Sequence, residues 1–185
     1  MALPAYFTAD DVRAIPEDGK RYETVHGKLF VTPAPGLWHQ VVIARLTGVL
    51  FQYLVRHGLE ALLTSPADIS WSDDTLVQPD LFVADLDESI RTGRWSDVEE
   101  LLLVVEVLSP STGRADRFTK RRLYQEQRIP VYWIVNIDER EIEVWTPDAT
   151  RPVIERGSFD WRHPALDESV TVDVAHLLNV GPTIH

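Results

Sequence analysis

Cysteine is absent from this sequence, so neither a disulfide framework nor a thiolate metal site can be built from it. That absence suits a reducing cytosol. No apolar run approaches the roughly 20 residues that cross a bilayer. The opening MALPAYFTADDV has neither the basic start nor the long apolar core of a signal peptide. The expectation is a cytoplasmic protein with no membrane partner. Positive charge is scarce: 18 Lys and Arg stand against 29 Asp and Glu, a formal net charge of −11. A nucleic-acid-binding domain is normally basic, so such a partner here needs a local basic helix or bound metal ions. Several chemical signatures are also missing. There is no GxxxxGK[ST] and no GxGxxG, and the histidines show no HExxH spacing. Ser109 and Ser111 lie in a turn without the GxSxG setting of a hydrolase nucleophile.

The 185 residues, 44% of them hydrophobic, suffice for one domain over residues 1–185 with a sizeable core. No internal repeat, low-complexity segment or linker interrupts them. The chain is organised around residues 101–128, LLLVVEVLSPSTGRADRFTKRRLYQEQR. An apolar, partly β-branched run holds a single carboxylate, Glu106. A Ser-Pro-Ser-Thr-Gly turn follows, and then a basic helix carrying Lys120. A charge inside a buried strand is costly unless it is paired or bound to a cation, so Glu106 needs an explanation.

Thr8-Ala-Asp-Asp starts a short helix over residues 7–15. Residues 21–31 read as two short strands turning at His26-Gly27. Val42, Leu46, Val49 and Tyr53, widened by Leu50, give residues 38–57 a helical stripe, and Gly58 stands where a left-handed residue closes a helix. Residues 59–63 and 69–71 are candidate strands. Residues 76–84 read as one strand with Pro79 inside it, which implies a strand start, an edge or a bulge just before Asp80. Residues 85–98 read as a loop with a short helix. Residues 101–108 form a central strand, 116–127 a helix, and 131–137 and 141–145 two further strands. The tail is less regular, with a strand and short helix over residues 170–178. The order predicts a mixed α/β arrangement around one central sheet.

Asp80 and Glu106 each lie in an apolar strand, and the intervening chain is long enough for those strands to pair. As neighbours they converge on one point, where their mutual repulsion invites a cation. Mg²⁺ suits such hard oxygen donors; otherwise each pairs separately with an arginine or caps a turn. Asp116, Lys120 and Tyr124 share one helical face at i, i+4 spacing. Lys120 either reaches the carboxylates or makes an ordinary surface pair with Asp116. Glu23 either borders the cleft or is an exposed strand residue. His39 either borders it or makes a helix-terminal hydrogen bond.

QPD at 78–80 followed by VVEVLSPST at 104–112 resembles the PD-(D/E)XK nuclease superfamily and, more closely, the bacterial restriction-endonuclease-like family called Uma. The likeness extends to RYETVHGKLF at 21–30, Trp38-His39-Gln40, Asp116-Arg117 with Lys120 and Tyr124, and PVYWIV at 130–135. It implies a restriction-endonuclease-like core over about residues 21–146: a central mixed β-sheet flanked by helices, with an extra N-terminal hairpin. By that analogy Asp80, Glu106 and the Val107 backbone carbonyl ligate Mg²⁺ or Mn²⁺, with Glu23 and His39 near the same pocket. The superfamily lysine two residues after the Glu is replaced by Leu108, and Lys120 is its candidate substitute.

The resulting expectation is a Mg²⁺-dependent endonuclease acting on DNA, with Arg114, Arg117 and Arg121 guiding the backbone. The alternative is a non-catalytic metal- or nucleic-acid-binding module on a nuclease fold, acting as a homo-oligomeric interaction protein. Trp133 and Trp145 either build a homodimer face or belong to the core.

Overall fold

Local signals set the N-terminal elements. The Thr8 hydroxyl accepts from the Asp11 amide while the Asp11 carboxylate accepts from the Thr8 amide, which caps α1 (Ala9–Arg13) reciprocally. The hairpin of β1 (Arg21–Val25) and β2 (Lys28–Thr32) turns through His26 and Gly27, whose φ values of 49° and 75° suit a two-residue turn with both centres left-handed. α2 (Leu37–Arg56) buries Val42, Leu46, Leu50 and Tyr53, with Val49 only half-buried, and Gly58 follows it at φ 73°.

This computed structural model describes residues 6–59, 62–85, 93–95, 98, 100–109, 113 and 115–180. Among them, β3 (Leu62–Thr64), β6 (Leu81–Ala84), β7 (Leu101–Val107), β8 (Val131–Asn136), β9 (Glu141–Trp145) and β10 (Val153–Glu155) form a six-stranded sheet in the order β10-β9-β8-β7-β6-β3. Only β7 and β8 pair in parallel. Their connection runs through α3, which begins as a π-helical turn over Ala115–Lys120 and continues as α-helix over Arg121–Glu126. A parallel pair requires such a crossover.

Strand alternation divides the core. Leu81, Val83, Leu103, Val105 and Trp133 pack with the α2 stripe. Phe82, Val104, Tyr132 and Ile134 pack with Leu123 and Tyr124 of α3. From Leu103 onward, even-numbered positions of β7 therefore face α3, and Glu106 is one of them.

The N-terminal hairpin extends into a second sheet, β2-β1-β5-β4, with β4 (Ile69–Ser72) and β5 (Thr75–Val77). This divides the single strand expected over residues 76–84. Pro79 gives the ladder no N–H, and the chain leaves one sheet after Val77 and joins the other at Leu81. The tail is more regular than expected: β10 and β11 (Ser158–Trp161) were not anticipated, and β11 pairs with β12 (Val170–Asp173) before α4 (Val174–Leu177). Trp133 and Trp145 are both buried in the core, which removes the dimer face suggested for them. Most of the loop expected at 85–98 falls outside the described residues. Among those described, no helix is long and apolar enough to cross a membrane.

Candidate active site

The β6–β7 register pairs Leu81 with Val105. Continued one step past that last paired residue, the register would set Asp80, in the bend before β6, opposite Glu106. Directly opposed residues of an antiparallel pair project from the same face with Cβ atoms about 4.5–5.5 Å apart. Both are buried, Asp80 at 5% exposure and Glu106 at 2%. They line one cavity of about 310 Å³ together with Arg21, His39, Val107 and Lys120.

Asp80 is fully engaged. Arg21 donates from Nη1 and Nη2 to Asp80 Oδ1, each at 2.9 Å. His39 Nε2 and the Val107 amide bond to Asp80 Oδ2 at 3.0 and 2.9 Å. Burial by itself would raise the Asp80 pKa, but the His39 hydrogen bond and the Arg21 charge hold it well below the usual carboxylate range. His39 Nδ1 is buried without a hydrogen-bond partner among the described residues.

Glu106 meets α3. Lys120 Nζ donates to Glu106 Oε1 at 2.9 Å and Tyr124 OH to the same oxygen at 3.1 Å. The same ammonium lies 2.9 Å from Glu23 Oε1 and 3.6 Å from Asp116 Oδ1. Glu23 is buried on β1 and accepts from the Gln78 amide at 2.8 Å. Lys120 thus serves Glu23 and Glu106 with one positive charge. Burial, reinforced by Asp80, Asp116 and Glu23 against the opposing pull of Lys120, pushes the Glu106 carboxyl well above its ordinary value. Lys120 moves up as well: burial opposes its charge, but Glu106, Glu23 and Asp116 more than compensate. Lys120 is therefore an ammonium donor. The carboxylates around Lys120 outnumber its single charge, and burial together with their repulsion favours the neutral form of Glu106.

The backbone supplies one more acceptor. Odd-numbered residues of β7 turn their polar groups toward β6, because Leu103 and Val105 pair with Val83 and Leu81 while the Leu108 amide bonds to Val135. Continuing the ladder sets Val107 opposite Pro79, which has no N–H to give. The Val107 amide turns instead to the Asp80 carboxylate, while its carbonyl, on the same side of β7 by ladder geometry, faces a residue that cannot donate.

Among the described residues, no three or more His, Cys, Asp or Glu side chains are grouped to hold a metal ion. Asp80 and Glu106, with the Val107 carbonyl, are the oxygen donors that could hold a cation instead. Such a set fits Mg²⁺, which uses one or two carboxylates and completes its shell with waters and substrate phosphates.

The site thus gathers Glu23, His39, Asp80, Glu106, Asp116, Lys120 and Tyr124. Of the three arginines expected to meet DNA, the two described, Arg117 and Arg121, are not among its lining. Arg117 donates to Glu143 at 2.7 Å, and Arg121 stacks 4.6 Å from the centre of the Trp145 ring. Arg114 lies outside the described residues. Arg21 was missed. The available signal was its position two residues before Glu23, which puts both on one face of a strand.

A family profile described as "Uma2: Putative restriction endonuclease" matches residues 9–175. Among solved structures, the chain is similar to a putative nuclease belonging to DUF820 from Anabaena variabilis, with a TM-score of 0.72 and 19% identity over 93% of this chain and 97% of that one. No curated protein matches.

Proposed function

The chain belongs to the Uma2 family of putative restriction endonucleases, and from that premise we propose that it is a divalent-cation-dependent nuclease hydrolysing phosphodiester bonds of DNA at the Asp80–Glu106 pair. The observation that supports the reading is a pair of buried carboxylates on adjoining segments, Asp80 just before β6 and Glu106 on β7, lining one cavity with Val107 and Lys120.

Asp80, Glu106 and the Val107 carbonyl would hold Mg²⁺ or Mn²⁺. Bound there, the ion supplies charge neutralisation at the phosphate and a more acidic water. His39 keeps Asp80 Oδ2 oriented, and Tyr124 and Lys120 do the same for Glu106 Oε1. Lys120 stays protonated, so its part is to orient the attacking water and to stabilise charge developing on phosphoryl oxygens, rather than to abstract a proton.

Purified protein with Mg²⁺ or Mn²⁺ is expected to nick DNA. Asp80→Ala and Glu106→Ala should each lower the rate by about two to three orders of magnitude, the usual cost of losing one electrostatic anchor. Undiminished cleavage by both variants rejects the assignment. One observation favours a non-catalytic module instead: Arg21 and Lys120 already pair with the two carboxylates, as structural ion pairs would. Metal binding by calorimetry without cleavage of any substrate selects that reading.

A further inference from the structure

Arg21 spends its guanidinium unevenly. A guanidinium fork matches two oxygens of a carboxylate or phosphate. Here both amino groups converge on one oxygen, Asp80 Oδ1, because His39 and the Val107 amide occupy the other. Nη1 is also anchored on the Gln78 carbonyl at 2.7 Å, so the head has a foothold independent of Asp80. The residue stands where two spaces meet. It lines the 310 Å³ cavity over the carboxylates and an adjoining cleft of about 1090 Å³, whose wall carries Gln40 and Thr64, the acids Glu17 and Asp68, and Arg13 and Lys20, which pair with Asp68 and Asp18. A divalent ion bound by Asp80 would face the guanidinium as a like charge in a dry site.

We infer that Arg21 is a phosphate-binding residue: when a divalent cation takes Asp80, the guanidinium turns on its Gln78 anchor and grips phosphoryl oxygens of the bound strand. This rests on the proposed nuclease reading. The exchange leaves no charge stranded, because Asp80 passes from guanidinium to cation while Arg21 passes from carboxylate to phosphate. Neighbouring nucleotides then lie along the larger cleft. The inference also gives Arg21 an unusual signature. As the present partner of Asp80 it competes with the cation, and as a phosphate ligand it assists the substrate.

The test uses the full chain and the variants Arg21→Gln and Arg21→Lys, each checked by thermal melting. Mn²⁺ affinity is read by calorimetry without nucleic acid. Binding of a fluorescent single-stranded DNA oligonucleotide is read with Ca²⁺ present. Arg21→Gln should bind Mn²⁺ several-fold more tightly and the oligonucleotide roughly tenfold more weakly, the scale of a lost charged hydrogen bond. Arg21→Lys should fall between. An unchanged oligonucleotide affinity overturns the inference, as does a joint fall in both affinities, which marks Arg21 as mere support for Asp80. If the Gln variant does not fold, Arg21→Lys decides by the same criteria, since it keeps the charge and loses the fork. Wild-type protein that binds no Mn²⁺ sinks the nuclease reading and this inference together. Wild-type protein that cuts, beside variants that cut and bind equally well, sinks this inference alone.

Discussion

Burial pushes the Glu106 carboxyl well above its ordinary 4.5, with Lys120 opposing and Asp80, Asp116 and Glu23 adding to the rise. Below pH 4.5 both the folded and the unfolded chain hold this proton. Above it the unfolded chain releases the proton first, so Glu106 costs stability as pH rises toward its folded pKa. Asp80 has the opposite sign. Its pKa is held below 3.8, so its stabilisation is present above that pH and is lost as the pH falls further. A divalent ion needs Glu106 ionised, so binding must expel the proton. Calorimetry of Mn²⁺ binding in two buffers of different ionisation heat, just above pH 4.5, is expected to read proton release, with affinity rising with pH. Glu106→Gln should abolish the release. Equal heats in both buffers for the wild type would exclude Glu106 as a proton-coupled ligand. Glu106 was legible because a lone charge in an apolar run has few explanations. Arg21 was not, because an arginine in a short strand reads as surface until its partners Gln78 and Asp80, distant in sequence, are brought to it.

The stretch Gln78-Pro79-Asp80 hands the chain from one sheet to the other. Proline within an apolar run signalled an interruption, but not which sheet each half would join, since strand partners are chosen by residues distant in sequence. The π-helical opening of α3 was equally hidden. The i, i+4 spacing of Asp116, Lys120 and Tyr124 reads as ordinary helix, whereas the wider turn ends at Lys120, whose ammonium settles between Glu23 and Glu106. Pro79→Ala tests the handover. The new N–H could complete the rung to the Val107 carbonyl, tying up that acceptor. A net hydrogen bond of about 0.5–1.5 kcal/mol predicts Mn²⁺ affinity lower by roughly two- to tenfold, measured by calorimetry on protein of unchanged secondary structure. Unaltered affinity would remove the Val107 carbonyl from the ligand set.

At the scale of the whole molecule, the net charge of −11 and the depth of the site act together. Asp80, Glu106 and Lys120 are each 5% exposed or less, at the foot of a 310 Å³ cavity. A phosphate in an intact duplex is held on a stiff rod and cannot descend there without unpairing, whereas a single strand can bend into the cavity and continue along the larger cleft. The described basic residues of α3 offer duplex DNA little unpaired charge, since Lys120 is buried, Arg117 is spent on Glu143, Arg121 on Trp145, and the exposed Arg122 pairs with Glu126. Single-stranded or frayed substrates are therefore expected to be cut faster than blunt duplex of the same sequence. Few phosphates should be neutralised on binding, between one and three, so the slope of log affinity against log salt should be shallow, about −1 to −2 for a single strand. Fluorescence anisotropy across a salt series measures the slope, and gel assays of matched substrates measure the preference. A steep slope with preferred duplex cleavage would mean that an extended basic surface, rather than the buried cleft, receives the nucleic acid.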